Sequence, residues 1–189
     1  MLCDMFLAAL ALAAIAPFQA APTLATDVCL AMVPPRLAAQ LQKENPDHQI
    51  ATVTDAPVER LLAAANAGGW PCPFVAIGDF DGDGSLDRAL VLKHKSEASV
   101  RLIAARNEDG QWRIELKKDW PIAITAAVVE PLEAGFYEQT KGGKDAAKQI
   151  DNLKSIQSDH AGFAAGTDEA GKQAYFYVND KWDDLWLAD

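Results

Sequence analysis

Gly78-Asp79-Phe80-Asp81-Gly82-Asp83-Gly84-Ser85-Leu86-Asp87 is the stretch from which the rest of the chain can be read. Carboxylates alternate at Asp79, Asp81 and Asp83 and return at Asp87, with Gly82 and Gly84 between them. Unpaired, so many like charges in one short loop repel one another. Around a hard cation they become oxygen ligands. The glycines suit a loop that wraps an ion, because such loops need backbone torsions that residues with a Cβ adopt poorly. The composition and spacing therefore predict a calcium loop. It is not an EF-hand. That motif closes with a bidentate Glu at its twelfth position, here Leu90, and is flanked by helices. Phe74-Val75-Ala76-Ile77 before the loop and Arg88-Ala89-Leu90-Val91-Leu92 after it are short and rich in apolar and β-branched residues, which predicts strand, loop, strand.

Ile77 to Asp87 followed by an apolar strand resembles the FG-GAP (VCBS-type) repeat of integrin α-chain propellers and of many bacterial exported proteins. The resemblance implies a Ca2+ ion held by the side chains of Asp79, Asp81, Asp83 and Asp87 and by the Ser85 carbonyl. It does not extend to the propeller. Phe74 to Lys117 has the length and order of one four-stranded blade, with the Asp109-Gly110 pair as a hairpin turn between Val100–Ala105 and Trp112–Leu116. A ring needs about four or more blades, and no second Asp-x-Asp-Gly-Asp-Gly copy occurs.

Around this unit the chain divides into three further parts. Residues 1–25 read as an export signal, with an apolar run from Phe6 to Ile15 too short to span a bilayer and small residues after it. No Lys or Arg precedes that run, and Cys3 leaves with it. The remaining 26–189 form a single exported domain, which is enough for one core. It retains Cys29 and Cys72, and in an oxidising compartment an even pair predicts a disulfide. Between them, residues 29–72 form a helical arm. One helix opens at Pro34-Pro35 with Leu37, Ala38 and Leu41 as its stripe and stops at Pro46. A second is capped by Asp55, carries Val58, Leu61, Leu62 and Ala65, and stops at Gly68-Gly69. Residues 73–118 form the blade-like unit. Residues 119–189 supply further strands: an apolar one over Ile122–Glu130, a loop over Pro131–Gly143, and a terminal hairpin of Ala174–Val178 and Trp182–Leu187. Asp145 to Ile156 fits helix or strand. The fold class is α+β, a short helical arm leading into a curved antiparallel meander.

The chain carries 27 acidic and 17 basic residues, a net charge of −10, and has no basic stripe, which disfavours nucleic acid as a partner. Catalytic patterns are scarce. His48, His94 and His160 are isolated in sequence and read as surface residues, and no His-Glu-x-x-His, Cys-x-x-Cys or Gly-x-Ser-x-Gly occurs. Trp70, Trp112, Trp120, Trp182 and Trp186 read as core or hairpin packing before they read as sugar platforms. The function expected is a periplasmic or secreted calcium-binding module with a protein or glycan partner. The alternatives are an envelope hydrolase or carbohydrate binder, and an inhibitor or immunity protein using the Pro131–Gly143 loop.

Overall fold

A computed structural model describes residues 27–66, 71–140, 154–167 and 171–187. The expected export signal, the Gly68-Gly69 stop, Trp70 and most of the ambiguous 145–156 segment lie outside the described residues.

The arm starts with a single helical turn, α1 (Val28–Ala31). Asp27 caps it by accepting N–H bonds from Cys29 and Leu30, and its second oxygen takes the Val53 N–H at 2.9 Å. Helix α2 (Pro35–Glu44) forms where expected. Proline at its first position loses no bond, and Leu37 and Leu41 are buried on one stripe. Strand β1 (His48–Ile50) follows. The next helix, α3 (Val58–Asn66), forms as well, but Asp55 does not cap it. Asp55 closes a 3₁₀ turn over Val53–Asp55, accepting from Thr52 N and Oγ1, and pairs with Lys93 at 2.6 Å. Ala56, extended before Pro57, separates that turn from the helix. A Cys29–Cys72 disulfide pins α1 to the segment entering the first sheet.

That sheet is an antiparallel meander of β2 (Val75–Gly78), β3 (Asp87–His94), β4 (Val100–Glu108) and β5 (Gln111–Trp120). Strands β1 and β2 lie end to end along one edge of β3, opposite Leu92–His94 and Asp87–Leu90 respectively. The β4–β5 turn places Asp109 and Gly110 at φ of 51° and 83°, the left-handed pair a two-residue hairpin needs. Ala89–Leu92 and Leu102–Ala105 are buried throughout, so both faces of the sheet are covered. On one face Arg88 and Arg101 reach Met32 and Asn45 of the arm. On the other, Lys118 reaches Gln173 and Tyr175 of a second sheet.

The second sheet contains β6 (Ala127–Leu132), β9 (Gly162–Thr167), β10 (Gly171–Val178) and β11 (Lys181–Leu187) in the order β11-β10-β9-β6. A separate pair, β7 (Gly135–Glu138) and β8 (Ser155–Ser158), packs beside it. The terminal hairpin is as expected, with Asn179 and Asp180 at positive φ in its turn. The apolar strand begins later than expected, at Ala127, because Ile124–Ala126 forms a 3₁₀ turn. The expected Pro131–Gly143 loop instead contains the end of β6 and all of β7. Pro131 is tolerated there because, among the described residues, β6 pairs in its sheet only with β9, and the Pro131 nitrogen faces away from β9, on the side where the Val129 N–H reaches the Pro73 carbonyl. The class is α+β, in open antiparallel sheets with no closed barrel or propeller among the described residues. No helix among them is long and apolar enough to cross a membrane.

One core joins the arm and both large sheets around Phe74, Phe80, Leu90, Leu102, Ile103 and Phe163. A smaller cluster of Ile156, Ala174, Phe176 and Leu185 lies under the β7–β8 pair. Trp112, Trp120 and Trp182 pack against the main core rather than standing free. Gly162 shows how closely β9 and β10 pack, since a Cβ there meets the Phe176 ring at 2.4 Å and the Tyr175 carbonyl oxygen at 2.7 Å. Gly162→Ala is therefore expected to cost about 1–3 kcal/mol in urea unfolding, and a loss under about 0.5 kcal/mol contradicts this close packing.

Candidate metal centre

The acidic loop joins β2 to β3 across the Gly78–Asp87 pair. Phe80 is the loop's anchor, fully buried with its ring 5.4 Å from Phe163 and 6.1 Å from Trp182. Its inward turn sends Asp79 and Asp81 the other way. The carboxylates then fold the loop around themselves. Asp79 accepts from Gly82 N at 2.8 Å and Gly84 N at 2.9 Å, and Asp83 accepts from Ser85 N at 2.6 Å. Gly82 and Gly84 sit at φ of 77° and 87°, where a Cβ is strained. Asp87 opens β3 fully buried, accepting from Phe80 N at 2.8 Å and Asn107 N at 2.7 Å.

One ligand oxygen from each of Asp79, Asp81 and Asp87 lies within 4.8 Å of the others. That is the separation of carboxylates sharing one ion at 2.3–2.6 Å. Asp79 and Asp81 are half-buried at the rim and Asp87 closes the floor. Burial pushes the Asp87 carboxyl up to about 6, against the two N–H bonds that lower it, and the neighbouring Asp81 and Asp83 raise it further. A cation beside it relieves that cost. The structure does not bring Asp83 into this trio. Asp83 is exposed, with its carboxylate turned to the Ser85 N–H.

The residues behind Asp81 were not singled out from the sequence. Arg106 of β4, 8 % exposed, donates from Nη1 to Asp81 Oδ2 at 2.6 Å and from Nε and Nη2 to Glu115 at 2.9 Å each. Its guanidinium lies 4.2 Å from the centre of the Tyr177 ring on the second sheet. Glu115 is delivered by a β-bulge. Ala104 pairs with Leu116 and Ala105 with Ile114, so Glu115 is the extra residue and turns toward Arg106. The paired charges hold Glu115 below the ordinary carboxylate range and Arg106 above its own. Trp182 Nε1 donates to the same Glu115 at 3.2 Å. The only sequence sign of this group is a charged residue directly after the buried run Leu102–Ala105.

Beside the loop a polar cleft of about 510 Å3 is lined by Asp81, Gly82, Asp159, His160, Tyr177 and Asp180. His160 is not a free surface residue, because its ring stands over Gly82. Nor are the other two histidines isolated. His48 and His94 are cross-strand partners with ring centres 4.9 Å apart at 87°, and His48 is buried. Compared with family models, curated proteins and solved structures, the chain matches none.

Proposed function

We propose that the 79–87 loop holds one divalent cation, calcium by its all-oxygen chemistry, and that the protein is an exported, non-enzymatic binding module whose ion is structural. The observation that carries this reading is the approach of Asp79, Asp81 and Asp87 to within 4.8 Å around a buried carboxylate. Oxygen-only donors favour calcium or magnesium over zinc. The order of acidic residues, resembling the FG-GAP (VCBS-type) repeat, supports calcium, with Asp83 and the Ser85 carbonyl completing the shell on binding. The disulfide supports an oxidising compartment. The net charge of −10 favours a protein or glycan partner over nucleic acid.

A cation that binds only the folded state raises stability by mass action, by about 2.7 kcal/mol at a hundredfold excess over Kd. For a domain of this size that is a rise in Tm of about 5 °C or more. We expect this rise with calcium over chelator in the wild type and its absence in Asp81→Asn. Magnesium is expected to give a smaller shift. Equal melting temperatures with calcium and chelator in the wild type refute the site.

A further inference from the structure

We propose that His48 and His94 form an acid-sensitive latch that holds the helical arm on the edge of the first sheet. Strand β1 is three residues long and is, among the described residues, the arm's only strand on that sheet, paired with β3 through His48–His94, Gln49–Lys93 and Ile50–Leu92. The latch lies at the opposite end of β3 from Asp87, about 23 Å away at the rise of an extended strand, and does not depend on the cation reading.

Its geometry is unfavourable to charge. His48 is 8 % exposed, and among the described residues its ring makes no hydrogen bond. The ring is a wall between two clefts. One, of about 330 Å3, is mainly apolar, with Ala38, Leu41, Ile50 and Leu92. The other, of about 420 Å3, is mixed in polarity and shared with His94, Arg101 and Asp119. His94 uses Nδ1 to accept the Ser96 and Glu97 N–H groups at 3.3 and 3.1 Å, so its neutral ring carries the proton on Nε2.

The charges facing the pair come from every neighbouring element. Arg101 of β4 opposes protonation of His48, as does His94 itself. Asp119 of β5 and Asp47 beside β1 favour it. Both Asp119 oxygens are already taken by Arg101, at 2.6 and 2.9 Å. Asp47 and Glu97 are exposed and water-screened, and Lys95 is turned to the Pro46 carbonyl. Desolvation, then Arg101, hold His48 below its ordinary value. A folded value below the unfolded one means that the folded state binds fewer protons. The latch is therefore at full strength above about pH 6.5 and weakens as pH falls through that value. Released, β1 uncovers the Leu41–Ile50–Leu92 face while the disulfide keeps α1 tethered.

The test is amide hydrogen exchange on the whole chain at pH 7.5 and 5.5, corrected for intrinsic rates. The wild type is expected to lose more than twofold and at most about tenfold protection over 48–51 and 92–96 at the lower pH, the ceiling for one histidine, with the β4–β5 hairpin unchanged. The His48→Gln, His94→Gln double variant is expected to show no such loss. If His48→Gln does not fold, proton NMR of the wild-type His48 ring carries the test and is expected to show it titrating below a histidine of the unfolded chain, a value at or above that one overturning the latch. Protection independent of pH in the wild type, or a wild-type loss in the double variant, overturns the latch.

Discussion

Arg106→Met is expected to lower the unfolding free energy by about 3–5 kcal/mol, the usual cost of removing one member of a buried ion pair. The guanidinium holds Asp81 and Glu115 together at 2.6 and 2.9 Å, and 8 % of it meets solvent. Methionine fills a similar volume at the seam between sheets but leaves Asp81 without its arginine and Glu115 with only the largely exposed Arg113, 3.0 Å away, as a counter-charge. Removing both members is milder. Arg106→Met with Glu115→Met leaves fewer unpaired charges and is expected to recover more than half of the loss. Urea unfolding of the two variants at pH 7 measures both numbers. A single-variant loss below about 1 kcal/mol shows that the seam is held by aromatic packing and not by this pair. Glu115 is held below its ordinary value, first by Arg106, so its contribution is present above about pH 4.5 and lost as pH falls through that region. The stability gap between wild type and Arg106→Met should narrow accordingly toward pH 4. If the loop binds calcium, saturating calcium should also narrow the gap, since Asp81 then has a second counter-charge.

Reduction of the Cys29–Cys72 bond is expected to cost about 4 kcal/mol, the chain-entropy value for a loop of this size. The 43-residue separation encloses the arm, β1 and α3, so the bond limits a large part of the unfolded ensemble. Both cysteines are completely buried. Cys29→Ser with Cys72→Ser adds two hydroxyls to the core and should exceed reduction alone by about 1–2 kcal/mol. Urea titration of oxidised and reduced protein gives the first value, and limited proteolysis shows whether the arm frees first. A loss under about 1 kcal/mol on reduction shows that Leu37 and Leu41 hold the arm unaided.

Much of the molecule follows from neighbouring residues alone. Pro34-Pro35 and the Leu37–Leu41 spacing define α2, Asp109-Gly110 defines a hairpin, and the tail alternates into β10 and β11. Asp79, Asp81 and Asp87 are recognisable in the acidic loop because a loop that wraps an ion uses residues close in sequence. The cysteine pair is expected from the even count that an export signal would leave, and the bond is present. Strand β9 was not foreseen, because Gly162-Phe163-Ala164-Ala165-Gly166 has little strand propensity; its glycines are there to let Phe176 and Gly171 approach.

Other features exist only once distant strands pair. His48 and His94 are 46 positions apart and meet because β1 and β2 share one edge of β3. Trp112, Ile114 and Leu116 alternate like an ordinary strand, yet a bulge between them turns Glu115 to Arg106. Asp83 has the same local claim as its neighbours, but Ser85 takes its carboxylate while Arg106 and the Asn107 N–H hold Asp81 and Asp87. Local chemistry settles which segments turn, cap and strand. Burial and strand register settle which charges must face one another, because the cost of an unpaired charge depends on what is packed over it and not on what precedes it in the chain.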